Sequence, residues 1–235
     1  MTLRALIFDV DGTLAETEEL HRTAFNAAFA VDGLDWSWDR TLYRDLLRTT
    51  GGHERILVHA RSLGVEVDAA ALHQRKNRIY GARVAAGRLA LRPGVAALIG
   101  QARREGMALA IATTTSRTNV TSLIGATLGA EAIGWFASIR TGEDVAAKKP
   151  DPEVYHLVLS DLGLPARDCL CFEDSQNGLR AALGAGLPTI VTPSLYSAGE
   201  DFSGAALVIE TLEAFWRRPE FHADQEQRER RAAGG

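Results

Sequence analysis

The sequence predicts an α/β fold: a Rossmann-like parallel sheet covered by helices on both faces, with an α-helical domain inserted after its first strand. Three observations predict it. Short apolar runs recur along the chain, and helical patterns separate them at the spacing of β-α-β units. Residues 15–88 then break that alternation with helical patterns alone.

The elements follow in order. Leu3 to Phe8 reads as a buried strand that stops at the acidic turn Asp9-Val10-Asp11-Gly12. Residues 15–88 are rich in Ala, Leu, Arg and His, turn at Asp32-Gly33, Gly51-Gly52 and Gly64, and show no clear strand, so they read as a small inserted bundle. Helical patterns then cover Pro93 to Glu105, Thr118 to Leu128, Pro152 to Leu162 and Ser175 to Ala185. Short apolar strands are expected at Ala108 to Ala112, Cys169 to Phe172, Thr189 to Val191 and Ala206 to Ile209. The expected division is a core of residues 1–14 and 89–216, an insert of 15–88, and a flexible tail of 217–235 with many charges and little apolar content.

Composition sets the outer bounds. With 235 residues, 46% hydrophobic and 24% charged, the chain suits one large globular domain or a core with an insert. Its 26 basic residues against 30 acidic ones give a net charge of −4, which leaves no basic field for nucleic acid or anionic lipid. No apolar run approaches the ~20 residues needed to span a bilayer, and Met1 to Asp11 lacks the cationic start and cleavage site of a signal peptide. Cys169 and Cys171, two apart on one strand, are too close for an unstrained disulfide and read as core residues. The expectation is a cytoplasmic monomer with a small-molecule substrate, and no nucleic-acid or membrane partner.

The strongest chemical signal is Asp9-Val10-Asp11-Gly12-Thr13 directly after a buried strand. Ligands of α/β sheets bind beyond the carboxyl ends of the strands, where these acids fall. Asp9 and Asp11 can point the same way while Gly12 turns the chain. Close carboxylates repel unless a cation or a shared proton intervenes, so one can attack as a nucleophile while the other, protonated, donates to a leaving oxygen. Three later pieces join them. Thr113 ends the second core strand with a hydroxyl, Lys149-Pro150 is expected to open a helix with a point charge for a phosphate, and Glu173-Asp174 ends a strand before another helix.

In this order, these four pieces resemble the motifs of the haloacid dehalogenase (HAD) superfamily over nearly the whole chain to about Leu212. The resemblance implies that Asp9 is a nucleophile that becomes a phospho-aspartate, and Asp11 a general acid and then base. It implies that Thr113 and Lys149 hold the phosphoryl group. Mg²⁺ would bind to Asp9, the Asp11 backbone carbonyl and Asp174, with Glu173 orienting a metal-bound water or acting indirectly. Hard oxygen donors suit Mg²⁺, and phosphoryl transfer gains chiefly from positioning and charge compensation. A second acid at Asp11 suits phosphate-ester cleavage, which needs a leaving-group proton, rather than carbon–halogen cleavage.

The helical insert resembles the α-helical cap of HAD phosphatases and of β-phosphoglucomutase, which would close over the site and exclude water. Phe8 to His21, Thr49-Thr50-Gly51-Gly52, Ala112-Thr113-Thr114-Thr115-Ser116 and Glu173-Asp174-Ser175-Gln176-Asn177-Gly178 are similar to stretches of CbbY-type phosphatases. That family is associated with removing phosphate from xylulose 1,5-bisphosphate, a Rubisco inhibitor. By that resemblance Glu18, His21, Thr49, Thr50, Gly51, Gly52, His53, His73, Lys76, Thr114, Thr115, Ser116, Arg117 and Asn119 would contact the sugar bisphosphate. A bisphosphate needs a second anion site, for which His73, Lys76 and Arg117 are the sequence's candidates. His53 stands where the family pattern leads one to expect Lys. Three readings stay open: a sugar phosphatase, a β-phosphoglucomutase-type mutase, and a non-catalytic HAD scaffold that binds a ligand.

Overall fold

The computed structural model describes residues 3–87 and 89–216, so the expected tail at 217–235 lies outside the described residues. One six-stranded sheet organises the core, in the order β3-β2-β1-β4-β5-β6 and parallel throughout. Its strands are β1 (Ala5–Phe8), β2 (Ala108–Ala112), β3 (Phe136–Arg140), β4 (Cys169–Glu173), β5 (Thr189–Val191) and β6 (Leu207–Val208). Of these, β3 was absent from the expected set. Its sequence Phe-Ala-Ser-Ile-Arg lies at the sheet edge and alternates in burial, so it never forms the continuous apolar run that marks a central strand.

The period-two geometry of the strands sorts their side chains into two layers. Leu6, Phe8, Leu109, Ile111, Leu170 and Phe172 pack on α5 (Val95–Arg104) and α6 (Arg117–Leu128). Ala5, Ile7, Ala110, Ala112, Cys169 and Cys171 face α7 (Glu153–Leu162) and α8 (Gln176–Gly184). Both cysteines are therefore buried, free core residues.

Between β1 and α5 come four helices: α1 (Glu18–Val31), α2 (Arg40–Leu46), α3 (Gly52–Leu63) and α4 (Ala69–Ala85). They enclose an aromatic cluster of their own, with Phe25, Phe29, Trp38 and Tyr43 at its centre, which Tyr196 joins from a loop after β5. The two chain crossings between these helices and the sheet lie side by side, because Ala15 pairs antiparallel with Leu91 and the Arg92 N–H donates to the Leu14 carbonyl at 2.8 Å. Two local expectations need correction. Lys149-Pro150 does not open a helix: α7 starts at Glu153, and the Lys149-Pro150 peptide is cis in the preceding turn. The turn expected at Gly51-Gly52 stops at Gly51, since α3 begins at Gly52 and takes His53 into its first helical turn.

Candidate active site

Parallel register brings the acids together. β1 and β4 pair Ile7 with Cys171 and Phe8 with Phe172, so Asp9 and Glu173 come next to each other, and the Asp9 N–H donates to the Phe172 carbonyl at 3.0 Å. Strand alternation turns both toward the α7 side, where Ile7 and Cys171 already point. Lys149 reaches between them from the turn before α7. Its Nζ donates to Asp9 Oδ1 and Glu173 Oε1, both at 2.7 Å, and to the Ala112 carbonyl at 2.9 Å. The Tyr155 hydroxyl also donates to Glu173 Oε1, and the Lys149 ammonium stands 5.0 Å from the Tyr155 ring centre.

Two glycines let the backbone come this close. Gly12 has φ +81°, and a Cβ there would lie 2.1 Å from Asp174 Oδ2. A Cβ at Gly178 would lie 1.9 Å from Glu173 Oε2, so only glycine allows α8 to pack on that carboxylate. Ser197 closes the far side by donating its hydroxyl to the Asp174 carbonyl at 2.7 Å.

The charges do not balance among these side chains. Burial pushes the Asp9 carboxyl up to about 7 against the pull of Lys149, with Glu173 and Asp11 adding to the rise. Burial, Asp9 and Glu173 hold the Asp174 carboxyl well above the usual range. Burial works against the charge of Lys149, but Asp9 and Glu173 bind its proton more tightly than usual. One ammonium thus serves three buried carboxylates whose oxygens lie within 4.8 Å of one another. That all-oxygen, electron-rich donor set fits a hard divalent cation.

Asp11 faces the other way, toward α1. Burial opposes its ionisation, but His21 Nε2 at 2.9 Å and the Thr17 hydroxyl at 2.6 Å hold its carboxyl well below the usual range. His21 Nδ1 lies 2.7 Å from the Lys76 ammonium, which has only protons to give, so Nδ1 accepts and Nε2 carries the proton donated to Asp11. The imidazole is stacked on Tyr80 with ring centres 4.0 Å apart. Burial lowers Lys76 to about 7, against the opposing charge of Asp11. Beside this line, Glu18 accepts from the Tyr43 hydroxyl at 2.7 Å, which in turn accepts from Arg55 at 3.2 Å. The helical wall meets the sheet through Lys148–Glu54 at 2.6 Å and Asn177–Thr50 at 3.3 Å. Between the two walls lies a cavity of about 710 Å³.

The family model described as haloacid dehalogenase-like hydrolase matches residues 3–186. The chain belongs to this family. It is 51% identical over 226 residues to protein CbbY of Rhodobacter capsulatus, covering 95% of this chain and 96% of that one. Its fold matches the crystal structure of CbbY from Rhodobacter sphaeroides in complex with phosphate, with TM-score 0.86 and 49% identity over 90% of this chain and 95% of that chain. A second crystal structure, of a mutant of that protein in complex with xylulose-(1,5)bisphosphate, matches with TM-score 0.86 and 48% identity at the same coverage. The chain is thus a hydrolase of HAD-like fold with CbbY proteins among its near relatives.

In this hydrolase Asp9, Asp11, Thr113, Lys149 and Asp174 line the cavity, while Glu173 is sealed beneath it and fully buried. Glu18, Thr50, Gly51, Gly52, His73, Lys76, Thr114, Thr115 and Ser116 also line it. Thr49, His53, His21, Arg117 and Asn119 do not, for separate reasons. Thr49 gives its carbonyl to Arg55, and His21 stands behind Asp11. The His53 ring, in the first turn of α3, lies 6.5 Å from that of His73. Arg117 turns to Asp144 at 3.1 Å, and Asn119 donates to Thr115 at 3.1 Å.

The cavity also takes in Arg44, Arg48, Lys148, Asn177 and Tyr196, which sequence reasoning did not single out as contacts. The pair of arginines Arg44, on α2, and Arg48, in the turn that follows, was the available signal. No helix among the described residues is long and apolar enough to cross a membrane.

Proposed function

We propose that this hydrolase is a Mg²⁺-dependent sugar phosphatase that converts xylulose 1,5-bisphosphate to xylulose 5-phosphate, with residues 15–88 acting as its cap. The observation that carries the reading is the layout of the cavity. Asp9 and Lys149 form its floor, Asp11 and the His21–Lys76 line form one wall, and Arg44 and Arg48 are cations at its mouth. The bisphosphate bound by a relative of 48% identity supports the choice of substrate.

In the first half-reaction an Asp9 carboxylate oxygen attacks phosphorus, and the ester P–O bond breaks. The dianionic phosphoryl group arriving beside Asp11 raises that carboxylate's proton affinity, so Asp11 takes up a proton from water and then gives it to the departing sugar oxygen. In the second half, Asp11 takes a proton from water as the water attacks phosphorus, and phosphate leaves Asp9. Lys149 and Thr113 hold the phosphoryl oxygens, and the ammonium keeps Asp9 aimed. Asp9, Asp174 and the Asp11 carbonyl would hold Mg²⁺, which supplies charge neutralisation for the dianion.

The second phosphate falls to Arg44 and Arg48, because the other cap candidates are committed. Burial, followed by Lys76, pushes His73 down to about 3, so it is neutral near pH 7. Lys76 donates to His21, and Arg117 lies outside the cavity. Arg44 forms no ion pair among the described residues, and Arg48 has only an exposed contact with Asp45 at 3.5 Å.

A phosphate-release assay over sugar mono- and bisphosphates tests the reading. Xylulose 1,5-bisphosphate should be cleaved far faster than ribulose 1,5-bisphosphate, and Asp9→Asn should be folded and inactive. Intact substrates across the whole panel, with Mg²⁺ present, would remove the phosphatase reading; an isomerised product without free phosphate would replace it with a mutase.

A further inference from the structure

Arg92 occupies the second crossing between the helical insert and the sheet, and its side chain is only 11% exposed. Its guanidinium is held mainly by backbone carbonyls. Nη1 donates to the carbonyls of Gly12 and, at 2.6 Å, Thr192. Nη2 donates to the Pro193 carbonyl at 2.9 Å and to that of Glu210 at 3.4 Å. On the insert side, Nε faces Glu16 at 3.5 Å.

The carbonyls of Gly12 and Pro193 come from the two segments that bracket Asp174. Gly12 packs so closely on the Asp174 carboxylate that a Cβ would overlap it, and the same Cβ would lie 3.0 Å from Ser194. Ser194 follows Pro193 directly and hydrogen-bonds the Asp174 side chain, and Ser197 holds the Asp174 carbonyl. Arg92 therefore bridges the Asp9–Gly12 turn and the 192–197 loop from behind, with the acidic floor between them. A guanidinium presents five donors in one rigid plane, a geometry that an ammonium on a flexible stem lacks.

We propose that Arg92 is a positioning residue for the acidic floor: it sets the spacing between the Asp9–Gly12 turn and the loop that supports Asp174. The proposal rests on the divalent-cation part of the function proposed above. Residues that hold metal ligands in place from outside the ligand set change metal affinity by about 10–100-fold when altered.

The test is a Mn²⁺ titration of the full chain without substrate, followed by electron paramagnetic resonance, for wild type, Arg92→Lys, Arg92→Met and Glu16→Gln. The Mg²⁺ concentration for half-maximal phosphate release and the thermal midpoint are measured alongside. Arg92→Met should weaken Mn²⁺ about 10-fold or more and raise half-saturating Mg²⁺ in step. Arg92→Lys should show most of that loss although it keeps the charge. Glu16→Gln, which removes the charge facing Nε while leaving an amide oxygen to accept from the Leu195 N–H at 3.4 Å, should bind Mn²⁺ as wild type does. If Arg92→Met does not fold, Arg92→Lys carries the comparison.

Wild-type Mn²⁺ affinity in both Arg92 variants, whatever their stability, would overturn the proposal, as would equal weakening in Glu16→Gln. In either case the metal reading survives. Absence of Mn²⁺ binding by wild type would overturn the metal reading and this proposal together.

Discussion

Glu173 shows how single residues divide the work of the site. Fully buried within the acidic cluster beside Asp9 and Asp174, it has an Oε1 that accepts from both Lys149 and Tyr155. Its present contacts place it as the anchor that keeps Lys149 pointed at Asp9. Tyr155→Phe keeps the ring under Lys149 and removes one donor to a buried carboxylate. The expected cost is about 1–3 kcal/mol in urea denaturation, together with a kcat lowered about 10-fold at nearly unchanged KM. His73 gives a second prediction, in pH. Folding lowers it from the ordinary 6.5 to about 3, chiefly by burial, so the unfolded chain binds a proton that the folded chain refuses. Stability therefore falls as pH drops from about 6.5 toward 3, and this contribution is constant above 6.5. His73→Gln should have a flatter acid limb in a plot of thermal midpoint against pH over that window.

At the scale of elements, the sequence was most legible where one physical signal dominated. β1, β2, β4 and β5 are buried on both faces and read as apolar runs, and α5 to α8 fell within a few residues of their expected bounds. The strand-end motifs gave the floor, because Asp9, Thr113 and Asp174 follow directly from where strands stop. The cap wall was less legible. Which side chains enter the cavity depends on how α1 to α4 rotate against the sheet, and no local pattern encodes that. His53 and Arg117 looked like contacts by motif position, but helix phase and the partner Asp144 turn them elsewhere.

The contact between Lys148 and Glu54 is of the same kind: it joins α3 to the turn carrying Lys149, and only the tertiary structure reveals it. A partly exposed pair of this sort contributes ~0.2–1 kcal/mol. If it holds the cap closed, Glu54→Gln should raise KM by up to about 5-fold with little change in kcat. Steady-state kinetics at rising salt should bring wild type toward the variant, because screening weakens the pair.

For the whole molecule, a net charge of −4 and the proposed bisphosphate substrate look mismatched until the charges are placed. The acids are concentrated at and beneath the floor, where Asp9 and Glu173 share the Lys149 ammonium and, with Asp174, would accept a divalent cation. Among the described residues, the cations that remain free for ligand lie on the short α2 and the turn after it. On the proposed function the cavity would offer two anion-accepting groups of different kinds: a buried one completed by metal, and an exposed one made of guanidinium groups. A substrate with two phosphates would use both. Arg44→Met combined with Arg48→Met should raise KM for the bisphosphate by about 10-fold per arginine, the scale of a charged hydrogen bond. Turnover of a sugar monophosphate should hardly change, because its phosphate is already on the floor. KM for the bisphosphate should also climb with ionic strength in the wild type and much less in the double variant, since exposed charges are screened while the buried floor is not. Equal damage to both substrates would mean that the arginines support the cap rather than read the second phosphate.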